Sequence, residues 1–220
     1  MDNTKTLRVL CFGDSNTWGY NPADSTRQPG RWTRQLEWKG EETLEVIEEG
    51  LNSRNAVALD EYAPEKCGFH SFKMMLQSHK PLDAVVLMLG TNDLKSHYCN
   101  TANNIANGIR EYVRLMFNPT LFEGTTTPKL LVVSPIHLGD TLPKLQGEGG
   151  GFDERSVRQS HLLAEWIENT IAPYMKDGQV FFMDASKYAK PSAIDGLHMD
   201  ADNHARLAHA ISEKLRSMLG

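Results

Sequence analysis

The stretch Val9–Tyr20 reads VLCFGDSNTWGY, and its reading decides the fold. Its first half belongs to an apolar run, Leu7–Phe12, that stops abruptly at Gly13-Asp14-Ser15. A short run rich in Val, Leu and Phe predicts a buried β-strand. The glycine after it permits a sharp turn. Ser15 therefore falls just past the C-terminal end of the first strand, where open α/β sheets bind their ligands. A serine there can be a nucleophile, a phosphate-binding hydroxyl or a helix cap, and the rest of the chain has to choose between these.

Working outward, Asn21–Gly30 is rich in Pro, Asp, Ser and Gly and reads as a loop, with Arg31–Lys39 as a short helix. Thr43–Ile47 alternates polar and apolar residues as a second strand and ends in Glu48-Glu49-Gly50. Leu51–Cys67 is long and irregular, the kind of segment that in a compact domain is often functional. Gly68–His79 places Phe72, Met75 and Leu76 on one helical face. Leu82–Leu89, LDAVVLML, is nearly all apolar and so reads as a central strand, ending in Gly90-Thr91-Asn92-Asp93. Thr101–Phe117 has helical periodicity, and Lys129–Val133 is a fourth strand closed by Ser134-Pro135. Ile136–Phe152 reads as a loop whose glycines at 147–151 suit a flap or a subunit contact. A helix over Asp153–Met175 capped by Asp153, a fifth strand Gln179–Met183 and a helix over Asp200–Leu219 complete the chain.

Strands alternating with helices imply a parallel sheet covered on both faces. The expected fold class is α/β, a three-layer α/β/α sandwich with a five-stranded parallel sheet, flavodoxin-like, over a single domain of residues 1–220. By analogy with doubly wound folds the strand order should be 2-1-3-4-5, which puts Ser15 at the switch point.

Composition narrows the function. The chain has 220 residues, 40% hydrophobic and 23% charged, ordinary for a globular protein. A formal charge of −5 with no Lys/Arg cluster argues against nucleic acid as a partner. Three cysteines, Cys11, Cys67 and Cys99, with no C-x-x-C pair make neither a disulfide framework nor a zinc site. The polar start of the chain lacks the basic and apolar regions of a secretory signal, and no apolar run reaches membrane-spanning length. A cytoplasmic protein that does not engage a membrane is the expectation.

Three strand ends offer Ser15, Gly50 and Asn92 to one crevice. Asp195-Gly196-Leu197-His198 adds a carboxylate and an imidazole three residues apart. On a tight turn, that spacing brings the Asp195 carboxylate to one ring nitrogen of His198 and leaves the other facing outward, the orienting acid and general base of a triad. A serine hydroxyl needs such a base at neutral pH. Backbone N–H groups of Ser15 and Gly50 and the Asn92 amide could supply an oxyanion hole. Asp14 and Asp93 read as structural acceptors.

The bland readings are a helix cap for Ser15, a turn for Asn92-Asp93 and solvent-facing helix positions for His70, His79, His161, His204 and His209. Asn16, Trp18, Tyr20, His97 and His137 are candidate pocket residues, and Trp32 suits either the pocket wall or the core. No paired-histidine spacing suggests a metal, and no cofactor is expected. The competing function is a flavodoxin-like module that uses Ser15-Asn16-Thr17 to bind FMN or phosphate. That reading leaves Asp195-x-x-His198 and Gly90-Thr91-Asn92-Asp93 without a role.

Together, Gly13-Asp14-Ser15, Gly50, Gly90-Thr91-Asn92-Asp93 and Asp195-x-x-His198 resemble the four blocks of the SGNH, or GDSL, hydrolases, in the family's order. Arg31-Trp32, Val46–Leu51, Asn52-Ser53-Arg54 and Val132–Pro135 are similar to its arylesterase/acyltransferase branch. The resemblance implies a serine esterase acting on short-acyl esters such as aryl or sugar acetates. It further implies Ser15 as nucleophile, His198 as base, Asp195 as its orienter, and Ser15, Gly50 and Asn92 as the oxyanion hole. Members of the branch also transfer acyl groups, and several are oligomers, so acyltransferase activity and a homo-oligomer are implied as well. Two departures stand out: Asn16 where the family often has Leu, and Ile136-His137 after Ser134-Pro135.

Overall fold

A computed structural model describes residues 5–146 and 151–220. The start of the chain and all of the glycine-rich stretch except Gly151 lie outside the described residues. Five parallel strands form one sheet: β1 (Thr6–Gly13), β2 (Thr43–Gly50), β3 (Ala84–Met88), β4 (Lys129–Ser134) and β5 (Val180–Asp184), in the order β2-β1-β3-β4-β5. This is the expected order, and it places β1 where the chain reverses direction across the sheet. Gly13 is in register with Gly50 on one side and Met88 on the other.

The two-residue repeat of the strands sorts the core into two layers. Leu10 and Phe12 of β1, with Val85 and Leu87 of β3, face α2 (Gly68–His79), α3 (Ala102–Leu115) and α5 (Glu154–Ile171). Val9 and Cys11, with Val86 and Met88, face α6 (Ala201–Leu219) and a 3-10 turn at Trp32–Gln35. Residues Ala84–Met88 are all buried, which explains the uninterrupted apolar sequence of the central strand. Two shorter helices complete the set, α1 (Ser15–Trp18) and α4 (Leu142–Gln146). No helix among the described residues is long and apolar enough to cross a membrane.

Several expectations are corrected. The helix expected over Arg31–Lys39 is only the 3-10 turn Trp32–Gln35. Trp32 is fully buried there, and Arg31 forms a two-pronged ion pair with Glu48 of β2, both bonds 2.6 Å, so tertiary anchors rather than a helical face fix the segment. The Ile136–Phe152 loop contains α4, seeded by the buried Leu142. The helix from Asp153 ends at Ile171 and passes into a single 3-10 turn, because Pro173 cannot continue the ladder. Its start is a capping box: Asp153 Oδ1 accepts from Ser156 N at 2.8 Å and Ser156 Oγ from Asp153 N at 3.2 Å. His204 does not face solvent. It is completely buried, and its Nδ1 accepts the Trp32 N–H at 3.3 Å. His79 is half-buried against Glu49 at 2.9 Å.

Candidate active site

Ser15 opens α1, a four-residue turn of helix at the C-terminal edge of the sheet. Asp14, not Ser15, is the N-cap: its Oδ1 accepts from Asn16 N at 2.9 Å. Two glycines let this turn sit so close to the strands. A Cβ on Gly13 would stand 2.1 Å from Thr17 Oγ1 and 2.7 Å from the Met88 carbonyl oxygen. On Gly50 it would stand 2.2 Å from Trp18 N. Neither gap admits a side chain.

The residues that the sequence nominated from opposite ends of the chain meet here. His198 Nε2 lies 2.9 Å from Ser15 Oγ, and His198 Nδ1 lies 2.6 Å from Asp195 Oδ2. The second carboxylate oxygen, Oδ1, accepts the backbone N–H groups of Leu197 (2.9 Å) and His198 (3.0 Å), so the D-x-x-H turn closes on its own acid. Burial pushes the Asp195 carboxyl up. The His198 ring and these backbone donors outweigh that and hold it below the usual aspartate range. An ionised Asp195 accepts a proton bond from Nδ1, and this tautomer leaves the Nε2 lone pair directed at the serine hydroxyl.

Asn92 follows β3 in a 3-10 turn and lines the same cleft. Its Nδ2 donates to the Arg54 carbonyl at 3.1 Å. The Arg54 guanidinium, buried over the Phe12 ring at 4.1 Å, donates in turn to the carbonyls of Gly13 and Glu49. One arginine therefore ties the ends of β1, β2 and β3 together beneath the cleft. Asp93 is wholly buried and accepts the N–H groups of Ala56, Val57 and Ala58 at 2.6 to 2.8 Å, shaping the long loop after β2. Burial raises its carboxyl pKa.

The cleft encloses about 420 Å³. Ser15, Asn92, His198 and Tyr20 line it, with the Tyr20 ring centred 4.4 Å from the His198 ring, and His97 stands at its rim. Other pocket candidates lie elsewhere. Asn16 is 3% exposed and faces inward, bonded to backbone. Trp18 is covered by the Arg27 guanidinium at 5.4 Å. The His137 ring lies tilted against the His161 ring, with centroids 4.1 Å apart. Trp32 belongs to the core. Gly50 is not among the lining residues either, since its Cα packs against the backbone of α1. From the same loop Asn52 and Ser53 reach the cleft, and Ser53 has a left-handed backbone, φ 65°. The sequence marks their segment as functional by its length and irregularity, and Asn52-Ser53-Arg54 carries part of the family resemblance, but neither residue is assigned a role in the site from sequence. Lys95, Gly151, Phe152 and Leu197 complete the lining. Among the described residues, no group of three His, Cys, Asp or Glu side chains is placed to hold a metal ion.

Comparison with known proteins places the fold and the family. No curated protein matches the chain. A carbohydrate acetylesterase family member from Sinorhizobium meliloti is similar in structure, with 34% identity, a TM-score of 0.85, and 97% of this chain and 99% of that one covered. The aryl esterase of M. smegmatis has 34% identity and a TM-score of 0.84, with 97% and 100% covered. The sequence profile of the GDSL-like lipase/acylhydrolase family matches residues 11–206, and the chain belongs to that family.

Proposed function

We propose that this protein is a serine esterase that hydrolyses acetyl-type esters of aryl or sugar alcohols through an acyl-enzyme. The observation that carries the reading is the unbroken chain of hydrogen bonds from Asp195 through His198 to Ser15 Oγ. In the proposed reaction Ser15 Oγ attacks the ester carbonyl as His198 Nε2 takes its proton. Collapse of the tetrahedral intermediate expels the alcohol, which carries off that proton. Water, deprotonated by the same nitrogen, then attacks the acyl-serine and releases the acid. The oxyanion would be held by Ser15 N–H and the Asn92 amide, with the Ser53 N–H, rather than that of Gly50, as third donor. Ser53 supports this role by lining the cleft with a left-handed backbone. Sugar acetates and aryl esters also match what the structural relatives are named for.

The phosphate-binding alternative is disfavoured. α1 is a single turn, and the Ser15 hydroxyl is already engaged by an imidazole held ready as a base.

The decisive experiment uses Ser15→Ala with an aryl acetate, alongside labelling of the wild type by an organophosphorus inhibitor. The variant should keep its fold and lose at least about 10³-fold in kcat. The label should map to the peptide bearing Ser15. A variant with the wild-type rate would end the proposal.

A further inference from the structure

The residue beside the nucleophile has work that does not involve substrate. The Asn16 side chain points away from the cleft into the protein, where Nδ2 donates to the Leu197 carbonyl at 3.3 Å and Oδ1 accepts from Met199 N at 3.1 Å. Those two peptide groups flank His198. Ser15 and Asn16 are consecutive in α1, so one carboxamide links the turn that carries the hydroxyl to the segment that carries the imidazole.

The other tethers of that segment refer it to different places. Asp195 Oδ1 holds Leu197 N and His198 N, and Ser192 N donates to the His198 carbonyl at 2.7 Å, both within the same loop. Gln28 Nε2 donates to the Met199 carbonyl at 3.0 Å from the loop after α1, and Gly139 N donates to the Gly196 carbonyl at 2.8 Å from the loop after β4. The Asp195 and Ser192 bonds fix the shape of the D-x-x-H turn, and Gln28 and Gly139 hold it to neighbouring loops, whereas the Asn16 side chain ties the peptide groups on both sides of His198 directly to the turn that carries Ser15.

We infer that Asn16 is a positioning residue that sets the distance between Ser15 and His198 by clamping the peptide groups on both sides of His198 onto α1. The inference rests on the serine-esterase reading. The clamp needs a donor and an acceptor on one short, flat group. Leucine, common at this position in the family, offers neither. A carboxyl group offers both only while protonated, because its ionised form accepts and cannot donate.

The test measures kcat and KM on an aryl acetate across pH 5 to 9 for the wild type, Ser15→Ala, Asn16→Leu and Asn16→Asp, with a melting temperature for each. Displacing a catalytic pair by about 1 Å typically costs about 10²-fold. Asn16→Leu should therefore lose about that much in kcat, with KM held within roughly twofold, the pattern of an interaction needed only at the transition state. Relative to the wild type at the same pH, Asn16→Asp should keep its activity at the acid end and lose it as the new carboxyl ionises, so that the ratio of the two rates falls with rising pH. A merely structural asparagine would lower the melting temperature and leave both kcat and the shape of the profile unchanged. Folded Asn16→Leu with the wild-type kcat, or Asn16→Asp with a profile of wild-type shape, overturns the inference. Should Asn16→Leu not fold, the nearly isosteric Asn16→Asp decides alone. If Ser15→Ala matches the wild type, the esterase reading itself has failed, and the clamp with it. If Ser15→Ala is inactive while both position-16 variants behave as wild type, the clamp alone is wrong.

Discussion

An asparagine in place of Asp195 would preserve the shape of the turn and reverse one hydrogen bond. Its Oδ1 could still accept from Leu197 N and His198 N, but its NH₂ would donate to His198 Nδ1 where Asp195 Oδ2 now accepts at 2.6 Å. The proton would then sit on Nε2, and the ring would have no lone pair for the Ser15 hydroxyl. Asp195→Asn should therefore lose about 10⁴-fold in kcat on an aryl acetate with little change in KM. Steady-state kinetics would count against this account if they showed less than a tenfold loss. At this scale the sequence was informative where function depends on spacing. Asp195-x-x-His198 closes on itself, and three residues are all that geometry requires. It was uninformative where a side chain's direction depends on distant partners. Nothing local to Asn16 indicates that its amide meets Leu197 and Met199 rather than substrate. His204 is different, because the signal was present. With Leu207, Ala208, Ile211 and Leu215 it falls at i, i+3, i+4, i+7 and i+11, the apolar stripe of α6, and that register implies burial.

The nucleophile's placement is a matter of how α1 docks on the sheet. Gly50 of β2 lies directly under Trp18, and a methyl group there would be 2.2 Å from Trp18 N and 2.6 Å from Trp18 Cα. Backbone cannot rotate aside as a flexible side chain can, so α1 must lift. Gly50→Ala should lower stability by about 1–3 kcal/mol, the range for overpacking, and should also lower kcat because Ser15 moves with the turn. Gly30→Ala is the control, as its Cβ would meet nothing closer than 3.6 Å. Thermal melts and kinetics on the pair test this; equal stability and activity for the two would sink it. The glycine was legible in the sequence, but its use was not. Its position at a strand end suggested an N–H turned to substrate, whereas the structure uses its missing side chain to admit α1. Periodic elements read more cleanly. The Gly68–His79 helix matches its expected bounds, and β3 emerged from its apolar run because it is buried on both faces. The loop after β2 carries no period, so the place of Ser53 in the cleft could not be read even though Asn52-Ser53-Arg54 carries part of the resemblance. Its form is set by Asp93, which gathers three backbone N–H groups from across the chain.

Across the whole molecule, two buried groups on either side of the triad pull stability in opposite directions as pH falls. Burial raises the Asp14 carboxyl from its usual 3.8 to about 6, against the opposing pull of Asn16 N–H and His198. Between those values the folded chain holds a proton that the unfolded chain has released, so stability rises as pH falls through that window. Burial lowers His204 from 6.5 to about 4. Between those values the unfolded chain holds a proton that the folded chain refuses, so stability falls as pH falls. Each shift is a little over two pH units, on the order of 3 kcal/mol. The windows nearly coincide, so the two contributions largely cancel. His137, drawn down by burial and by His161, adds to the losing side. The joint contribution of Asp14 and His204 should therefore be almost level from about pH 6.5 to 4, and single substitutions at either should tilt the stability profile relative to the wild type. Asn at position 204 can present an oxygen to Trp32 N in place of Nδ1. His204→Asn should become more stable on acidification through that range. Asn at position 14 can still accept from Asn16 N and cap α1, so Asp14→Asn should steadily lose stability over the same range. Urea melts at several pH values would show the two slopes diverging in opposite directions. Parallel slopes for both variants and the wild type would mean that neither group is held as its burial requires.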